Sequence, residues 1–314
     1  MIVAVITGGL GNQLFQIFHL MAYALSHKND SVSFGFVHQP SSRTATYWDT
    51  LFASLRPFVR KPSEIHVPPF VEVKERAFHY DPPPPLSLPV GQLPSRCDFL
   101  IEGYFQSPRY FAAQEERILR FLRLDKQRRE VLSATKERIA GFLPPWDTTV
   151  SLHVRRGDFR GLTEEHPLLP VAYYRRALEV VSAAAPTLTH VLLFCEDAER
   201  AGAETDVLRP LREATAHLRL TWVWLPSTNP MLSHEVTQLW LMTACRHHIV
   251  ANSTFSWWGA YLDPRRRTPE AGVTCYPSVW FGPALSGTKD TRDLFPTSDS
   301  ACGISRWVCV DATP

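Results

Sequence analysis

A short charged cluster directly after an apolar-rich run is the part of this sequence best suited to chemistry. His153, Arg155, Arg156 and Asp158 follow the run at residues 149–152. This pattern predicts a buried strand that ends at a crevice, where charged side chains become tolerable. Because a buried guanidinium is costly without an anion beside it, two adjacent arginines indicate a doubly charged ligand, and a pyrophosphate fits best. The alternative is an arginine–aspartate ion pair that caps the strand.

A second candidate phosphate-binding segment follows another apolar run. Residues 249–251 are Ile-Val-Ala, and the polar and aromatic residues 252–255 come next. Backbone N–H groups at a helix N-terminus bind phosphate with help from the helix dipole. Ser253 or Thr254 would also serve as an N-cap in a protein without any ligand. The whole set, placed after a predicted strand, favours a ligand site.

Two carboxylates follow the strand predicted at residues 191–195. Glu196 and Asp197 could accept hydrogen bonds from a ribose or a base, or could cap a helix, and the sequence leaves both interpretations open. His153 is likewise either a base-contacting residue or a core histidine. The sequence contains no Asp-x-Asp and no His and Cys residues at ligand spacing, so we expect no metal site.

Glycines lie between the first predicted strand and the first predicted helix. Gly8, Gly9 and Gly11 would let the backbone approach a ligand, and Asn12 could present its amide there. The run matches a dinucleotide-binding fingerprint only in part, because Leu14 replaces the third glycine and no acidic residue stands about twenty positions further on. NAD is therefore not expected, and a tight turn without a ligand is the alternative.

The composition argues against several classes of protein. Of 314 residues, 33 are Lys or Arg and 31 are Asp or Glu, so neither nucleic acid nor an anionic membrane is expected as the main partner. The apolar start at residues 2–6 lacks a basic flank and a cleavage site, which indicates a strand rather than a targeting segment. Cys302 and Cys309 could pair, but reduced thiols in a cytosol are favoured, and we expect a cytoplasmic protein.

Strand and helix patterns alternate along the chain, which is typical of doubly wound parallel sheets. Pro144 and Pro145 make a natural hinge, so we predict two α/β domains, residues 1–145 and 146–314. Strands are predicted at 2–7, 31–37, 99–104, 150–154, 191–195, 220–225 and 249–251, and helices at 14–27, 46–56, 108–122, 125–142, 171–184, 200–218, 233–245 and from 253. The remainder of residues 40–94 is predicted to be irregular.

Four segments together resemble the α-1,2-fucosyltransferases of glycosyltransferase family eleven. They are residues 8–16, 102–107, 153–158 and 251–260, in the family's order and at its spacing. The resemblance implies a GT-B fold with two Rossmann-like domains facing a cleft. It also implies a GDP-fucose donor, a galactose-containing glycan acceptor, and transfer with inversion and without metal.

The resemblance assigns roles to individual residues. Arg155 should hold the β-phosphate, His153 should lie by the guanosine, and Asn12 should approach the pyrophosphate or fucose from the first domain. The implied donor-binding set is His153, Arg156, Asp197, Gln238, Asn252, Ser253, Thr254 and Phe255, and the acceptor-side set is Glu102, Tyr104 and Gln106.

Two positions depart from the family's pattern. Gln238 stands where the family usually has an aspartate that is a candidate for reading guanine, and a neutral amide accepts hydrogen bonds more weakly than a carboxylate. The family's Ser-Asp-Asp is Cys195-Glu196-Asp197 here, so only Asp197 is retained. The sequence therefore predicts fucose-type chemistry more strongly than it predicts guanine selectivity.

The sequence thus predicts a galactoside 2-α-L-fucosyltransferase-like enzyme acting on O2 of a β-galactose, with no cofactor beyond the donor. Arg155, with Arg156 and the helix start at Ser253, would stabilise charge on the leaving GDP. Asp158 is the candidate base, but an adjacent arginine would weaken it in that role, and it could orient the arginines instead. The alternatives are another GDP-sugar or linkage, and a non-catalytic carbohydrate-binding protein.

Overall fold

The structure is a computed structural model that describes residues 1–26, 34–38, 46–61, 70–83, 98–226, 234–287, 289, 291–296 and 306–314. The chain divides into two compact units. Unit 1 comprises residues 1–127 and 290–295, and unit 2 comprises residues 128–289 and 296–314. Each unit contains a parallel sheet with helices, so the predicted α/β class, with the two-sheet composition of the GT-B type, is confirmed.

Unit 1 is built around the apolar strand β1. Its residues, Ile2–Ile6, are nearly all buried, and the long apolar helix α1, Leu10–Ser26, packs against them. The other elements are β2 Phe34–His38, β3 Val59–Arg60, β4 Phe70–Lys74, β5 Asp98–Glu102 and α2 Glu115–Leu122. The strand order is β3-β2-β1-β5-β4, and every pairing is parallel.

The centre of this sheet brings two of the sequence motifs together. Strand β1 pairs with β5 so that Ala4 lies opposite Ile101. Because parallel strands end at the same edge of a sheet, the glycine turn after β1 and the residues that follow Glu102 lie at one edge. These two segments are about ninety residues apart in the sequence.

Unit 2 has the strand order of a doubly wound nucleotide-binding sheet. Its strands are β6 Thr149–His153, β7 His190–Phe194, β8 Thr221–Trp224, β9 His247–Ile249, β10 Val273–Pro277 and β11 Arg306–Val310. The order β11-β10-β9-β6-β7-β8 is parallel throughout. The chain proceeds from β6 outward to β8 and then returns to β9 on the other side of β6. Ligands bind at such a switch point in open α/β sheets.

Helices cover both faces of the second sheet. They are α3 Leu124–Ile139, α4 Val171–Ala184, α5 Arg200–Ala203, α6 Arg209–Ala214, α7 Glu235–Met242, α8 Thr254–Tyr261 and α9 Pro283–Ser286. Leu152 of β6 and Tyr173 of α4 belong to one apolar cluster, whereas Phe194 of β7 and Leu241 of α7 belong to another. His153 lies opposite Phe194 in register, so both side chains point to the face that α7 covers.

The compact units divide within α3 rather than at the predicted hinge after Pro144. Gln127 Nε2 donates to the carbonyl oxygens of Leu51 and Leu122, which belong to unit 1. Arg128, the next residue, donates through Nε to Thr243 Oγ1 at 2.7 Å, in unit 2. A proline pair marks where a helix ends, whereas the division follows these side-chain contacts, which the sequence pattern does not reveal.

One predicted helix is wrong. The described residues 46–56 form turns, and a short 3₁₀ helix runs from Ala53 to Phe58. Pro57 removes a backbone donor near the end of this segment, and bulky side chains such as Trp48 and Phe52 are buried by turns instead.

The strand predicted at 249–251 begins earlier, at His247, because two histidines are accommodated inside the sheet. His248 is buried, with Nδ1 2.9 Å from Ser151 Oγ and Nε2 3.3 Å from Asp263 Oδ2. Polar residues that find partners inside a sheet break the apolar pattern used to predict a strand.

Some expectations concern residues outside the described ranges. They include residues 31–33 of the predicted second strand, most of the proline-rich segment, and the pairing of Cys302 with Cys309. Within the described ranges, no helix combines the length and apolar character needed to cross a bilayer.

Candidate functional site

The switch point of unit 2 holds the predicted nucleoside-binding histidine. His153 ends β6, is 5% exposed, and meets the Phe255 ring of α8 edge-on with the ring centroids 5.7 Å apart. Its Nδ1 is buried and has no hydrogen-bond partner among the described residues. Burial, and then the charge of Arg155, lower the pKa of His153 to about 3. A neutral imidazole therefore lies at this strand end, with a buried polar atom that lacks a protein partner.

Arg155 lies just beyond the strand end and is held by two carboxylates. Its Nη1 contacts Glu196 Oε1, and its Nη2 contacts Asp158 Oδ1. The guanidinium carbon lies 5.0 Å from the centre of the Phe159 ring, and the side chain is 26% exposed. A bound phosphate would compete with these carboxylates for the guanidinium. Asp158 contacts Arg155 as an orienting residue would, and both roles predicted for it stay predictions.

Glu196, rather than Asp197, is the carboxylate that reaches this cluster from β7. Asp197 begins a 3₁₀ turn, and its Oδ1 lies 2.8 Å from Arg200 Nε. A Cβ at Gly157, whose φ is +28°, would lie 2.8 Å from Glu196 Oε1. The glycine of the charged motif therefore makes room for Glu196. The predicted donor role of Asp197 stays a prediction.

Arg156 has different surroundings from its neighbour. Its side chain is 8% exposed, with Nη2 2.5 Å from Asp206 Oδ2 and Nε 3.4 Å from Glu199 Oε2. Asp206 lies on a π-helical segment, Glu204–Leu208, between α5 and α6. The geometry favours the ion-pair interpretation for Arg156, and a direct contact with the donor stays a prediction.

The start of α8 provides backbone donors beside the histidine. Ser253 is the N-cap residue, but its side chain makes no capping hydrogen bond. Ser256 Oγ instead accepts from Ala251 N–H at 3.2 Å and so fixes the turn before the helix. N–H groups of a first helical turn that lack a side-chain cap suit an anion. Thr254 lies in this turn and is half-buried.

Asn252 ties this turn to neighbouring loops. Its Nδ2 donates to Pro167 O at 3.0 Å and to Trp280 O at 3.3 Å. Its Oδ1 is buried and, within the described part of the chain, has no hydrogen-bond partner. The amide therefore has a structural role, and its predicted contact with the donor stays a prediction.

Gln238 is half-buried on α7, the helix that covers the His153 face of the sheet. Phe255 packs against the same apolar cluster as Leu241 of α7. The sheet face, the start of α8 and α7 thus surround one region, as a nucleoside site would require. What Gln238 reads there stays a prediction.

In unit 1 the structure brings Asn12 and Gln106 together. Gln106 Nε2 donates to Asn12 Oδ1 at 3.0 Å. Gln16 joins the same strand ends, since its Oε1 accepts from Thr7 N–H at 3.0 Å and its Nε2 donates to Gly103 O at 3.1 Å. Amides of α1 therefore fix the edge formed by β1 and β5.

The other two acceptor-side residues, Glu102 and Tyr104, lie at the end of β5 and in the turn that follows it. Glu102 is 41% exposed and lies 3.4 Å from Lys74 Nζ, and Tyr104 is half-buried. The backbone N–H of Tyr104 is bound by Glu75, a residue that sequence reasoning missed because no local pattern links it to this turn. Among the described residues, no group of three His, Cys, Asp or Glu could hold a metal ion.

A family model described as glycosyl transferase family 11 matches residues 227–278. That segment contains α7, β9, α8 and β10. The chain is similar to this family over that segment. The resemblance inferred from the motifs is therefore confirmed.

Two Escherichia coli relatives are similar over part of the chain. One, an O-antigen biosynthesis glycosyltransferase named WbnK, is 29% identical over 136 residues, which are 42% of this chain and 39% of the relative. The other, an alpha-1,2-colitosyltransferase, is 26% identical over 200 residues, which are 61% of this chain and 58% of the relative. This chain therefore spans less than two thirds of either relative's length.

Solved structures with distant likeness include POFUT1 in complex with GDP and an Arabidopsis thaliana FUT1 mutant in complex with GDP. The first has a TM-score of 0.46 and 10% identity, and covers 88% of this chain and 97% of that one. The second has a TM-score of 0.42 and 11% identity, and the match covers 83% of this chain and 68% of that one. Likenesses of this kind say nothing about what this chain binds.

Proposed function

We propose that this chain transfers L-fucose from GDP-fucose to a galactoside hydroxyl, O2 of a β-galactose, with inversion and without a metal ion. The observation that carries the proposal is the switch point of unit 2. There a neutral buried histidine, a partly exposed arginine and a helix start without a side-chain cap lie on adjacent elements. The matched family segment includes that helix start.

Charge on the leaving group sets the main chemical demand. As the bond from the sugar to GDP breaks, negative charge grows on the β-phosphate. Arg155 and the first-turn N–H groups of α8 would stabilise this charge. Such donors are effective because they are fixed before the reaction, and the carboxylates that hold Arg155 fix it. Arg155 therefore carries the electrophilic role in the proposal.

The acceptor proton needs a destination in a single inverting displacement. Asp158 is the candidate base, and its contact with Arg155 gives it a second role as an orienting group. Comparing the pH dependence of the rate in wild type and Asp158→Asn separates the two. Loss of the acidic limb in the variant supports the base, whereas an unchanged limb with a lower rate assigns Asp158 to orientation.

A specific observation favours a second donor. One relative is named a colitosyltransferase, and colitose is L-fucose without its hydroxyl at carbon three. A site that binds a substrate hydroxyl rejects the analogue that lacks it more strongly than an apolar site can reject an added hydroxyl. Gln238, in the place of the family's aspartate, leaves base selectivity as a separate question. The proposal therefore names GDP-fucose first and GDP-colitose as the alternative.

The test is product analysis with matched donors. The chain is incubated with β-galactosides and with GDP-fucose, GDP-colitose, UDP-galactose or ADP-glucose, with EDTA present, and products are identified by NMR. An α-1,2-fucosylated product supports the proposal. If only a colitosylated product forms, the donor is GDP-colitose instead of GDP-fucose. Strict dependence on magnesium or manganese would contradict the metal-free mechanism. Absence of both transfer and donor hydrolysis, with no GDP binding, would favour a carbohydrate-binding protein.

A further inference from the structure

The turn that follows β5 is held by one carboxylate from the end of the neighbouring strand. Glu75 directly follows β4, and its Oε2 and Oε1 accept hydrogen bonds from the N–H groups of Tyr104 and Phe105, each at 2.9 Å. Its own N–H donates to Glu102 O at 2.9 Å. A single residue therefore joins the end of β4 to the last residue of β5 and to two positions of the turn that follows it.

The turn has a backbone conformation that calls for such a partner. Phe105 has a φ of +52°, in the left-handed region that is unfavourable for a residue with a Cβ. Gly103 has a φ of +149°, and a Cβ there would lie 2.4 Å from Glu75 Cβ. The glycine permits the close approach, and the two hydrogen bonds to a carboxylate stabilise the left-handed residue.

The same turn determines where two side chains lie. The Phe105 ring stacks on the fully buried His19 of α1, with the ring centroids 3.9 Å apart. One residue later, the buried Gln106 donates to Asn12 Oδ1 at 3.0 Å. Rotation of the turn would move both contacts at once, since the positions are consecutive.

We propose that Glu75 is a positioning residue for sugar transfer, acting through the turn to hold Gln106 on Asn12. The inference rests on the proposed function, in which Asn12 approaches the donor and Gln106 lies on the acceptor side. In this proposal Glu75 acts through its hydrogen bonds to backbone N–H groups rather than through contact with the reactants. GDP binding, assigned to residues of unit 2, is expected not to depend on it.

The first test is the variant Glu75→Gln, which keeps the side chain's shape but turns one acceptor oxygen into a donor facing an N–H group. We expect kcat/KM for the acceptor to fall about tenfold or more, because a charged hydrogen bond is lost. The Kd for GDP should stay within about twofold of wild type. Glu116→Gln, an exposed change on α2, is the matched control and should behave as wild type. Wild-type kinetics in Glu75→Gln would overturn the inference.

A double variant separates positioning from a general loss of stability. If Glu75 acts through Gln106, then Glu75→Gln should reduce kcat/KM much less in a Gln106→Ala background than in wild type. Equal losses in both backgrounds would show that Glu75 acts by another route and would overturn the proposal.

Amide hydrogen exchange tests the contact without relying on activity. The N–H groups of Tyr104 and Phe105 should exchange faster in Glu75→Gln, while those of β1 stay protected. Unchanged exchange would overturn the contact itself. Failure of wild type to transfer any GDP-sugar would instead overturn the proposed function, and the exchange rates would still decide whether Glu75 holds the turn.

Discussion

Arg155 and Arg156 are adjacent in sequence yet differ in what their guanidinium groups can do. Arg155 is 26% exposed and lies at the strand end, whereas Arg156 is 8% exposed and contacts Glu199 and Asp206. A partly exposed cation that is held in place can stabilise negative charge that develops on a substrate. A buried cation between two carboxylates contributes to the stability of the fold instead. Substitution of Arg155 should therefore lower the reaction rate, whereas substitution of Arg156 should lower the stability of the fold.

Removing Arg155 should affect the rate far more than stability. In Arg155→Ala, we expect kcat to fall about a hundredfold or more, the loss typical of one donor to a developing oxyanion. Arg155→Lys should recover only part, because an ammonium lacks the two-pronged geometry. Arg160→Ala is the control, since Arg160 is 60% exposed on the same 3₁₀ helix. Near-normal turnover of Arg155→Ala at saturating donor would remove Arg155 from the mechanism.

Removing Arg156 should mainly affect stability. In Arg156→Met, Glu199, which is 17% exposed, would keep only its 3.6 Å contact with the exposed Arg160, whereas Asp206, at 54%, can turn to water. We expect unfolding free energy to fall by about 1–3 kcal/mol, as for a partly buried pair. Urea unfolding measures this, with Arg209→Ala, an exposed change on α6, as the control. A stable variant with weakened GDP binding would return Arg156 to the donor site.

At the scale of elements, the two consecutive glycines after β1 differ. Gly8 has a φ of +80°, and a Cβ there would lie 2.9 Å from Asn12 Nδ2, whereas a Cβ at Gly9 would meet nothing within 4 Å. Gly8→Ala should lower unfolding free energy by about 1–2 kcal/mol or more, and Gly9→Ala should not. Chemical denaturation of the two variants checks this. Equal stability would show that the turn tolerates a side chain at both positions.

The sequence predicted the strand ends that carry the site, because an apolar run followed by charge is a local signal. The charged cluster after β6 and the turn before α8 were predicted on this basis, and the structure places them at adjacent strand ends. Contacts such as Arg156 with Asp206 join residues fifty positions apart. Asp206 reaches Arg156 from a π-helical segment, and no periodic pattern indicates such a segment. Glu75 was likewise not predicted, because its partners Tyr104 and Phe105 lie about thirty positions further along the chain.

At the scale of the whole molecule, buried histidines connect the fold to pH. Burial lowers the pKa of His19 to about 3 and of His153 to about 3, and that of His247 to about 4. In Asp263, burial alone would raise the pKa, but hydrogen bonds from His248 and Arg265 lower it to about 2. Asp263 therefore contributes its full stability above about pH 4 and loses it as the pH falls towards 2, so the histidines dominate the pH dependence of stability above pH 4.

Stability should fall as the pH drops below about 6.5, because the unfolded chain then binds protons at these histidines and the folded chain does not. Each should contribute a slope of about 1.4 kcal/mol per pH unit between roughly pH 4 and 6. Urea midpoints measured from pH 4.5 to 8 check this. His153→Gln should flatten the slope by one histidine's share, while His217→Gln, an exposed control, should leave it unchanged. An unaltered slope in His153→Gln would mean that this imidazole is protonated in the folded chain, which would contradict a neutral histidine at the nucleoside site.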